Sequence, residues 1–259
     1  MKIVVLVKQV PDTAADKRLD PDTLTVDRAA VDGLINEMDE FAIEEALQLV
    51  EKHGGEVTVV SMGPEDATEA YKKALQMGAD KAVFLTDPAL AGSDSIATSY
   101  ALAQVLGTLE YDLVILGCEA SDARTSIVPA LLAERLGLPQ LTFAAKVEVD
   151  GSSIKINRQT DYGHDVVEAS LPAVVSVVEK INEPRYPSFK GIMAAKKKPV
   201  ESLDAAAVSI EPAKVGTAGS WSKVLDAAVA PPRAKGVIVS DEGNGGVELA
   251  DFLASKKFV

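Results

Sequence analysis

Residues 1–10 read MKIVVLVKQV, and positions 3–7 of this stretch form a continuous apolar run as long as a β-strand. Comparable runs recur at residues 57–61, 81–85 and 113–116. Strands that are buried on both faces of a parallel sheet show this pattern, because neither face needs polar residues for solvent. We therefore expect these four segments to form the centre of one buried sheet.

Patterns typical of helices separate the four runs. Apolar residues recur at helical spacing in residues 39–52, 65–77, 94–106 and 125–136, and glycines mark several of the ends. Strands that alternate with helices in this way form parallel sheets with right-handed crossovers, and their ligands bind beyond the carboxyl ends of the strands. The pattern predicts a doubly wound α/β domain.

The periodicity changes to two after Lys146. Alternating apolar residues between positions 147 and 167 are typical of antiparallel hairpins attached to the main sheet, and residues 171–178 predict one more buried strand. The predicted fold is α/β, with a doubly wound, mainly parallel sheet, added antiparallel hairpin strands and an extended C-terminal arm.

The last part of the chain has a different composition from the rest. Residues 199–259 are rich in Ala, Pro and Gly and provide little core of their own. We expect an α/β domain at residues 1–198 and, at residues 199–259, an arm that packs on another surface. The alternative for the arm is a flexible tail, because its aromatic content is low. A terminal helix is expected at residues 248–257.

The charge of the chain excludes several classes of partner. Among its 259 residues, 39 are acidic and 26 are Lys or Arg, for a net charge of −13. Such an acidic surface repels nucleic acid and anionic membranes. The sequence contains no apolar stretch near the roughly 20 residues of a membrane span, and its first residues resemble a strand more than a signal peptide. We expect a cytoplasmic protein without membrane insertion.

No motif typical of an active site is present. The sequence lacks the G-x-S-x-G, H-E-x-x-H, C-x-x-C and P-loop patterns, and no G-x-G-x-x-G follows the first strand. A single cysteine, Cys118, and two histidines, His53 and His164, make a structural zinc site improbable. We expect a protein with neither a catalytic site nor a metal of its own.

Residues 117–129, GCEASDARTSIVP, are the first candidate binding site, because they follow the fourth predicted strand and open a predicted helix. Thr125 and Ser126 would lie in the first helical turn, where free N–H groups and the helix dipole favour an anion such as phosphate. Arg124 would add a charge-assisted hydrogen bond. The alternative is an ordinary helix start that Asp122 or Thr125 caps.

The second candidate is the polar run Asn36-Glu37-Met38-Asp39-Glu40. It precedes the first long helix, where Asp39 is a natural N-cap and Glu40 favours the helix dipole. The run also follows the first strand and is expected near the fourth-strand loop. Two interpretations remain, in which the run either only starts the helix or also contacts a ligand.

Residues 183–198, EPRYPSFKGIMAAKKK, are the third candidate. Pro184 and Pro187 exclude the interior of a strand, so the segment is expected to project from the domain. Exposed apolar side chains such as Tyr186 and Phe189 are unfavourable in water unless they meet a partner. The alternative is a loop that covers the core of its own domain.

Five stretches together resemble the β subunits of electron transfer flavoproteins. They are VLVKQVPD at 5–12, NEMDEFAIEEALQL at 36–49, ALQMGAD at 74–80, LPAVV at 171–175 and NEPRYPSFKGIMAAKKK at 182–198. The last of these is the most specific. Residues 199–259 are the part least typical of the family.

The resemblance implies an electron carrier without a catalytic site. In this family the β subunit has an adenine nucleotide α-hydrolase-like domain that binds a structural AMP, and it pairs with an α subunit that holds most of the FAD. The complex takes electrons from acyl-CoA dehydrogenases and similar flavoenzymes, and passes them to electron transfer flavoprotein-quinone oxidoreductase at a membrane. Residues 1–198 would be the nucleotide-binding domain, and residues 199–259 would pack on the α subunit.

The resemblance also assigns site residues on this chain. The implied AMP site consists of Leu6, Asn36, Glu37, Met38, Asp39, Met62, Ala120, Ser121, Asp122, Ala123, Arg124, Thr125, Ser126, Ile127, Val128, Pro129, Ala130 and Leu131. The implied recognition loop for dehydrogenases is residues 183–198, with Phe189 in place of the Leu of the family as anchor. Its partner-binding residues are Tyr186, Pro187, Phe189, Ile192, Met193, Lys196 and Lys197.

Two departures from the family pattern bear on the cofactor. Met38 replaces the aromatic of the common N-P-F-D-E motif, and residues 122–129 read DARTSIVP where flavin-bifurcating members have D-G-x-T-A-Q-V-G. These changes favour AMP over a second FAD. The alternatives are a bifurcating variant with a second FAD in place of AMP, a stand-alone AMP- or ATP-binding sensor of the universal-stress type, and a nucleotide-dependent ligase or hydrolase.

Overall fold

The apolar runs of the N-terminal half form the centre of a nine-stranded sheet in the computed structural model. The structure describes residues 1–16, 18–228, 230–233, 235–236 and 238–259. These residues divide into two units, Met1–Leu225 and Asp226–Val259. The fold class is α/β with a mainly parallel sheet, which confirms the prediction from the sequence.

Strands and helices alternate through the first unit. The strands are β1 (Lys2–Val7), β2 (Gln9–Pro11), β3 (Gly33–Ile35), β4 (Glu56–Met62), β5 (Lys81–Leu85), β6 (Leu113–Gly117), β7 (Gln140–Asp150), β8 (Ser153–Thr160), β9 (Gly163–Ser170), β10 (Ala173–Val177) and β11 (Val200–Leu203). The helices are α1 (Glu37–His53), α2 (Glu69–Met77), α3 (Ser95–Leu106), α4 (Val128–Leu136), α5 (Phe189–Ala195), α6 (Gly216–Gly219) and, in the second unit, α7 (Gly245–Ser255).

The order of strands in the large sheet is β11-β5-β4-β1-β6-β10-β7-β8-β9. β1 pairs in parallel with β4 on one side and with β6 on the other. β7, β8 and β9 form the predicted antiparallel hairpins, and β2 and β3 form a separate antiparallel pair. The chain winds from β1 towards β5 and then crosses to β6, so the topological switch point lies between β1 and β6.

Both faces of β1 are buried. Ile3, Val5 and Val7 share one apolar core with residues of α1 and α2. Val4 and Leu6 share the opposite core with residues of α3 and α4. This burial on two faces is the physical reason that the strand reads as an uninterrupted apolar run.

Two helices begin later than the sequence predicts. α2 begins at Glu69 and not at residue 65, and α4 begins at Val128 and not at residue 125. Arg124 and Ser126 have φ angles of 48° and 54°, in the left-handed region, which a right-handed helix cannot contain. The residues expected in the first turn of α4 therefore lie in the loop before it.

Residues just after position 198 belong to the main sheet and its core. β11 pairs in parallel with β5, and Ala205, Val208, Ile210 and Val215 are buried in the core beside α3. The division between units falls after Leu225, whereas the sequence analysis placed the start of the arm at residue 199. These four apolar residues are few and widely spaced, so the sequence shows no periodic pattern there. Each of them is nevertheless buried in the core of the first unit.

The described residues of the second unit form one helix, α7, close to the terminal helix expected at residues 248–257. Val247, Leu249 and Phe252 on this helix are exposed within the described residues. Among the helices of the described segments, none is long and apolar enough to cross a membrane.

Truncation of a central strand residue tests the two-sided core. Val114 of β6 has no exposed surface, so Val114→Ala should lower the free energy of unfolding by roughly 2 kcal/mol, from two lost methyl groups and the cavity they leave. Val166 of β9 is 69% exposed and provides the matched control, for which Val166→Ala should change stability by less than about 0.5 kcal/mol. Urea unfolding of the purified protein measures both. Equal losses for the two variants would contradict this description of the core.

Candidate functional site

The carboxyl ends of three neighbouring strands meet at one edge of the sheet. Leu6 of β1 lies beside Leu116 of β6, and the last residue of β4, Met62, follows the pair formed by Val7 and Ser61. Loops from all three strands rise from this edge, at the switch point between β1 and β6. This is where ligands bind in doubly wound folds.

A buried pair of polar residues fixes the start of α1 against this edge. Asn36 and Asp39 are only 2% and 5% exposed. The Asn36 Nδ2 group donates to Asp39 Oδ1 (3.0 Å) and to the Glu119 carbonyl (2.9 Å), and Asn36 Oδ1 accepts from the Ser121 N–H (3.1 Å). Asn36 therefore joins the N-terminus of α1 to the loop after β6, as the sequence analysis expected from the two candidate segments.

Asp39 does not cap its helix, contrary to the expectation from the sequence. α1 begins at Glu37 with Asn36 as its N-cap residue, so Asp39 lies inside the first turn. Its carboxylate instead accepts the backbone N–H of Lys8 (2.8 Å) and that of Gly117 (3.3 Å), at the ends of β1 and β6. Asp39 thus ties three elements together at the switch point.

Gly117 allows this close approach. A Cβ atom at position 117 would lie 2.6 Å from Asp39 Oδ1 and 2.6 Å from the Cβ of Met38. Contacts this short would force α1 away from the sheet. The sequence pattern alone gave no reason to single out this glycine, because the contact joins residues 78 positions apart.

Burial dominates the acidity of Asp39. It raises the pKa of this carboxyl to about 7, although the hydrogen bonds from Asn36, Lys8 and Gly117 act in the opposite direction. The carboxyl group therefore titrates near neutral pH.

The loop after β6 carries a second buried carboxylate, Asp122. It accepts from Lys8 Nζ (2.9 Å) and from the guanidinium of Arg28 (2.5 Å), and its side chain is 1% exposed. Burial alone would raise the pKa of Asp122, but the two cations outweigh it and hold the pKa below its usual range. Asp122 is therefore an ion-pair partner and not the helix cap that the sequence analysis considered.

Lys8 and Arg28 hold the Asp122 carboxylate, and neither is among the site residues expected from the sequence. Lys8 follows directly after the first apolar strand, and that position was a signal for its role. Arg28 lies in the long segment between β2 and β3, 94 residues before Asp122, and no local pattern marks it.

The tip of the loop presents backbone N–H groups. Arg124 and Ser126 have left-handed φ angles, and alternation of this kind turns successive N–H groups towards one side. Within the described part of the chain, the N–H groups of Thr125, Ser126 and Ile127 donate no hydrogen bond. They precede the N-terminus of α4, whose dipole also favours an anion. The side chain of Arg124 is exposed, and it forms no ion pair with another residue that the structure describes.

Cys118 begins this loop as a buried thiol. Burial and the nearby Glu119 and Glu179 raise the pKa of Cys118 to about 11, so the group stays protonated and unreactive at neutral pH. Among the described residues, no group of His, Cys, Asp and Glu side chains could hold a metal ion.

Residues 183–198 carry an exposed apolar surface. Tyr186 is 92% exposed and Phe189 is 81% exposed, while Ile192 and Met193 are exposed to 38% and 49%. Residues 189–195 form the short helix α5, which the sequence analysis had treated as loop. The alternative that this segment covers its own core does not fit these exposures.

The predicted residues therefore fall into two groups. Residues around the switch point are Leu6, Asn36, Met38, Asp39, Met62, the loop at residues 120–127 and the first residues of α4, while Glu37 of the same group is exposed at the helix start. Tyr186, Phe189, Ile192 and Met193, with the exposed Lys196 and Lys197, form the second surface. Lys198, which follows these two lysines, points inward to backbone carbonyls.

The fold is that of a doubly wound α/β protein with a crevice at its switch point. Residues 23–208 match the electron transfer flavoprotein domain family. The chain is 51% identical over 263 residues to the electron transfer flavoprotein subunit beta of Mycobacterium leprae (strain TN), with 99% of each chain covered.

Two further relatives agree. The electron transfer flavoprotein subunit beta of Megasphaera elsdenii is 38% identical over 264 residues, which cover 99% of this chain and 97% of that protein. Protein FixA of Azorhizobium caulinodans is 41% identical over 229 residues, which cover 85% and 81%. The chain belongs to the electron transfer flavoprotein family, and the resemblance to its β subunits is confirmed.

The acidity of Asp39 predicts a pH dependence of stability. An unfolded aspartate has a pKa of about 3.9, so between this value and about 7 the folded protein holds a proton that the unfolded chain has released. Stability from this group is complete at low pH and is lost as the pH rises towards 7, by about 1.4 kcal/mol per pH unit.

Urea unfolding between pH 5 and 8 measures this effect as the difference between the wild type and Asp39→Asn. The difference should change with pH up to about 7 and then become constant. Glu37→Gln, an exposed substitution in the same helical turn, is the matched control. Parallel pH profiles of the wild type and Asp39→Asn would show that Asp39 does not titrate in this range.

Proposed function

We propose that this chain is the β subunit of a heterodimeric electron transfer flavoprotein. The FAD, held mainly by an α subunit, would carry the electrons, and this chain would position the flavin-bearing partner and select electron donors without a catalytic site of its own. The single observation that carries the proposal is the identity of 51% to a named β subunit over 99% of both chains. We further infer a cytoplasmic location, as the sequence analysis expected.

We propose AMP as the nucleotide of the crevice. The N–H groups of Thr125, Ser126 and Ile127 and the N-terminus of α4 suit a phosphate, because unpaired donors and the helix dipole both favour an anion. Leu6 and Met62 would provide apolar contacts at the floor of the crevice. Asn36 and Asp39 would hold the walls in place, because their polar groups are already bonded to the surrounding backbone.

The nucleotide content of the complex tests this assignment. Acid denaturation of the purified heterodimer should release one FAD and one AMP, which chromatography of the released nucleotides would count. Two FAD and no AMP would overturn the assignment and favour the flavin-bifurcating alternative. Release of FAD alone, in one copy, would remove the nucleotide site of this chain from the proposal.

We propose that the second unit packs on the α subunit. Val247, Leu249 and Phe252 of α7 present an apolar surface in that unit, and exposed apolar surface of this kind is unfavourable in water. Trp221, 86% exposed at the end of the first unit, precedes this region in the chain.

We propose that α5 and the residues before it dock electron donors of the acyl-CoA dehydrogenase class. Phe189, Ile192 and Met193 follow helical spacing i, i+3 and i+4, so they lie on one side of the helix. Exposed aromatic and methionine side chains are enriched at the centres of protein interfaces. Lys196 and Lys197 would attract acidic partners. The electron transfer flavoprotein-quinone oxidoreductase would accept the electrons.

Removal of the central aromatic tests the docking role. Full burial of a Phe side chain contributes about 1.5–3 kcal/mol, so Phe189→Ala should raise the KM for a reduced acyl-CoA dehydrogenase by roughly ten- to a hundredfold. Flavin and AMP contents should stay unchanged. Tyr162→Ala is the control, because Tyr162 is also exposed (84%) but lies at the turn before β9, on the opposite edge of the sheet. Unchanged rates for Phe189→Ala at sub-saturating dehydrogenase would refute the docking role.

A further inference from the structure

Lys198 occupies a built site at the end of α2. Its Nζ group donates to the carbonyl oxygens of Leu75 (3.0 Å), Gly78 (3.1 Å) and Ala79 (2.6 Å). The last carbonyls of a helix lack intrahelical donors and carry the negative end of the helix dipole, so an ammonium group suits this position. Burial lowers the pKa of Lys198, in keeping with its removal from solvent.

Close packing brings α5 onto the same helix. A Cβ atom at Gly191 would lie only 2.5 Å from the carbonyl oxygen of Gln76, so only glycine permits this distance between α5 and α2. Ser188 caps α5 by accepting the Gly191 N–H (3.0 Å). The end of α2 therefore contacts both the middle of α5 and Lys198, three residues beyond the end of α5.

The segment before α5 is held as firmly on α1. Arg185 donates from Nε to Glu44 Oε2 (2.7 Å) and from Nη1 to Glu51 Oε1 (2.6 Å), with further bonds to both carboxylates. Asn182 donates to the Phe41 carbonyl (3.1 Å). Charge-assisted bonds to two glutamates of one helix fix both the position and the direction of the chain that enters α5.

We propose that Lys198 is a positioning residue of the docking surface: by bonding the end of α2, it fixes where α5 ends and so holds Phe189, Ile192 and Met193 in their binding arrangement before a partner arrives. This inference rests on the proposed docking function of α5. A surface fixed in advance loses less conformational entropy on binding than a mobile one, which strengthens the complex without adding a contact.

Comparison with the neighbouring lysines distinguishes a positioning role of Lys198 from an effect of its charge. Lys196 and Lys197 are exposed, whereas Lys198 is partly buried and bonded to carbonyls. Attraction between exposed charges weakens as salt is added, because the screening length shortens. The internal bonds of Lys198 are screened much less.

Lys198→Met and Lys197→Met form a matched pair, since each removes one charge and keeps an unbranched apolar stem. The complex of this chain with its flavin-bearing subunit serves as substrate for an acyl-CoA dehydrogenase reduced by its acyl-CoA. Lys198→Met should raise the KM for the complex about three- to tenfold at both low and high salt, with kcat and flavin content unchanged. Lys197→Met should raise the KM only at low salt.

Two further variants test whether Lys198 acts through the position of α5 and of Phe189. Gly191→Ala should displace α5 without a change of charge and should reproduce the effect of Lys198→Met at both salt concentrations. If Lys198→Met does not fold, Gly191→Ala alone tests whether the position of α5 determines the KM. In the Phe189→Ala background, Lys198→Met should add little to the KM, because two residues that act through one contact are not additive.

The inference is overturned by an unchanged KM for Lys198→Met, by an effect that disappears at high salt, or by effects of Lys198→Met and Phe189→Ala that multiply. Phe189→Ala alone reports on the docking function itself. If that variant binds normally, the proposed function fails together with the inference. If only Lys198→Met and Gly191→Ala bind normally, the docking function stands and the positioning role is removed.

Discussion

The burial of β1 between β4 and β6 is the constraint on which the rest of the structure depends. Because β1 pairs in parallel with both neighbours, the chain must cross the sheet each time, and the crossing helices cover both faces. The same arrangement opens a crevice at the carboxyl end of β1. Lys8 leaves the strand there, and it donates its backbone N–H to Asp39 and its ammonium group to Asp122.

The crevice is held by two carboxylates in opposite electrostatic situations. The hydrogen bonds to Asp39 come from neutral groups, and burial outweighs both them and the charge of Lys8, so the pKa of Asp39 is raised. Asp122 is equally hidden from water, but two cations keep it ionised. The first joins α1 to the ends of two strands through a contact that only Gly117 permits, and the second joins two long loops above them. Both give the walls of the crevice defined positions.

Residues 183–198 also use their polar groups internally. Arg185 and Lys198 are used internally, on α1 and α2, while Phe189 and its neighbours remain outside. In the sequence, the prolines excluded a strand interior and predicted a projecting segment, but they left open whether its apolar residues meet a partner or the core of their own domain. The sequence did not distinguish Lys198 from Lys196 and Lys197, since three consecutive lysines look alike until α2 supplies carbonyl oxygens to one of them.

The sequence by itself determined the central strands β1, β4, β5, β6 and β10, the hairpins of β7 to β9, most helices and the location of the crevice, because periods of two and 3.6 residues and the βα order are local properties. Only the tertiary structure decided that α4 starts at Val128, that Arg28 meets Asp122 across 94 residues, and that the first unit extends to Leu225. These features depend on contacts between segments that are distant in the chain. A local sequence pattern does not predict which carbonyl, cation or core position a distant segment will provide after folding.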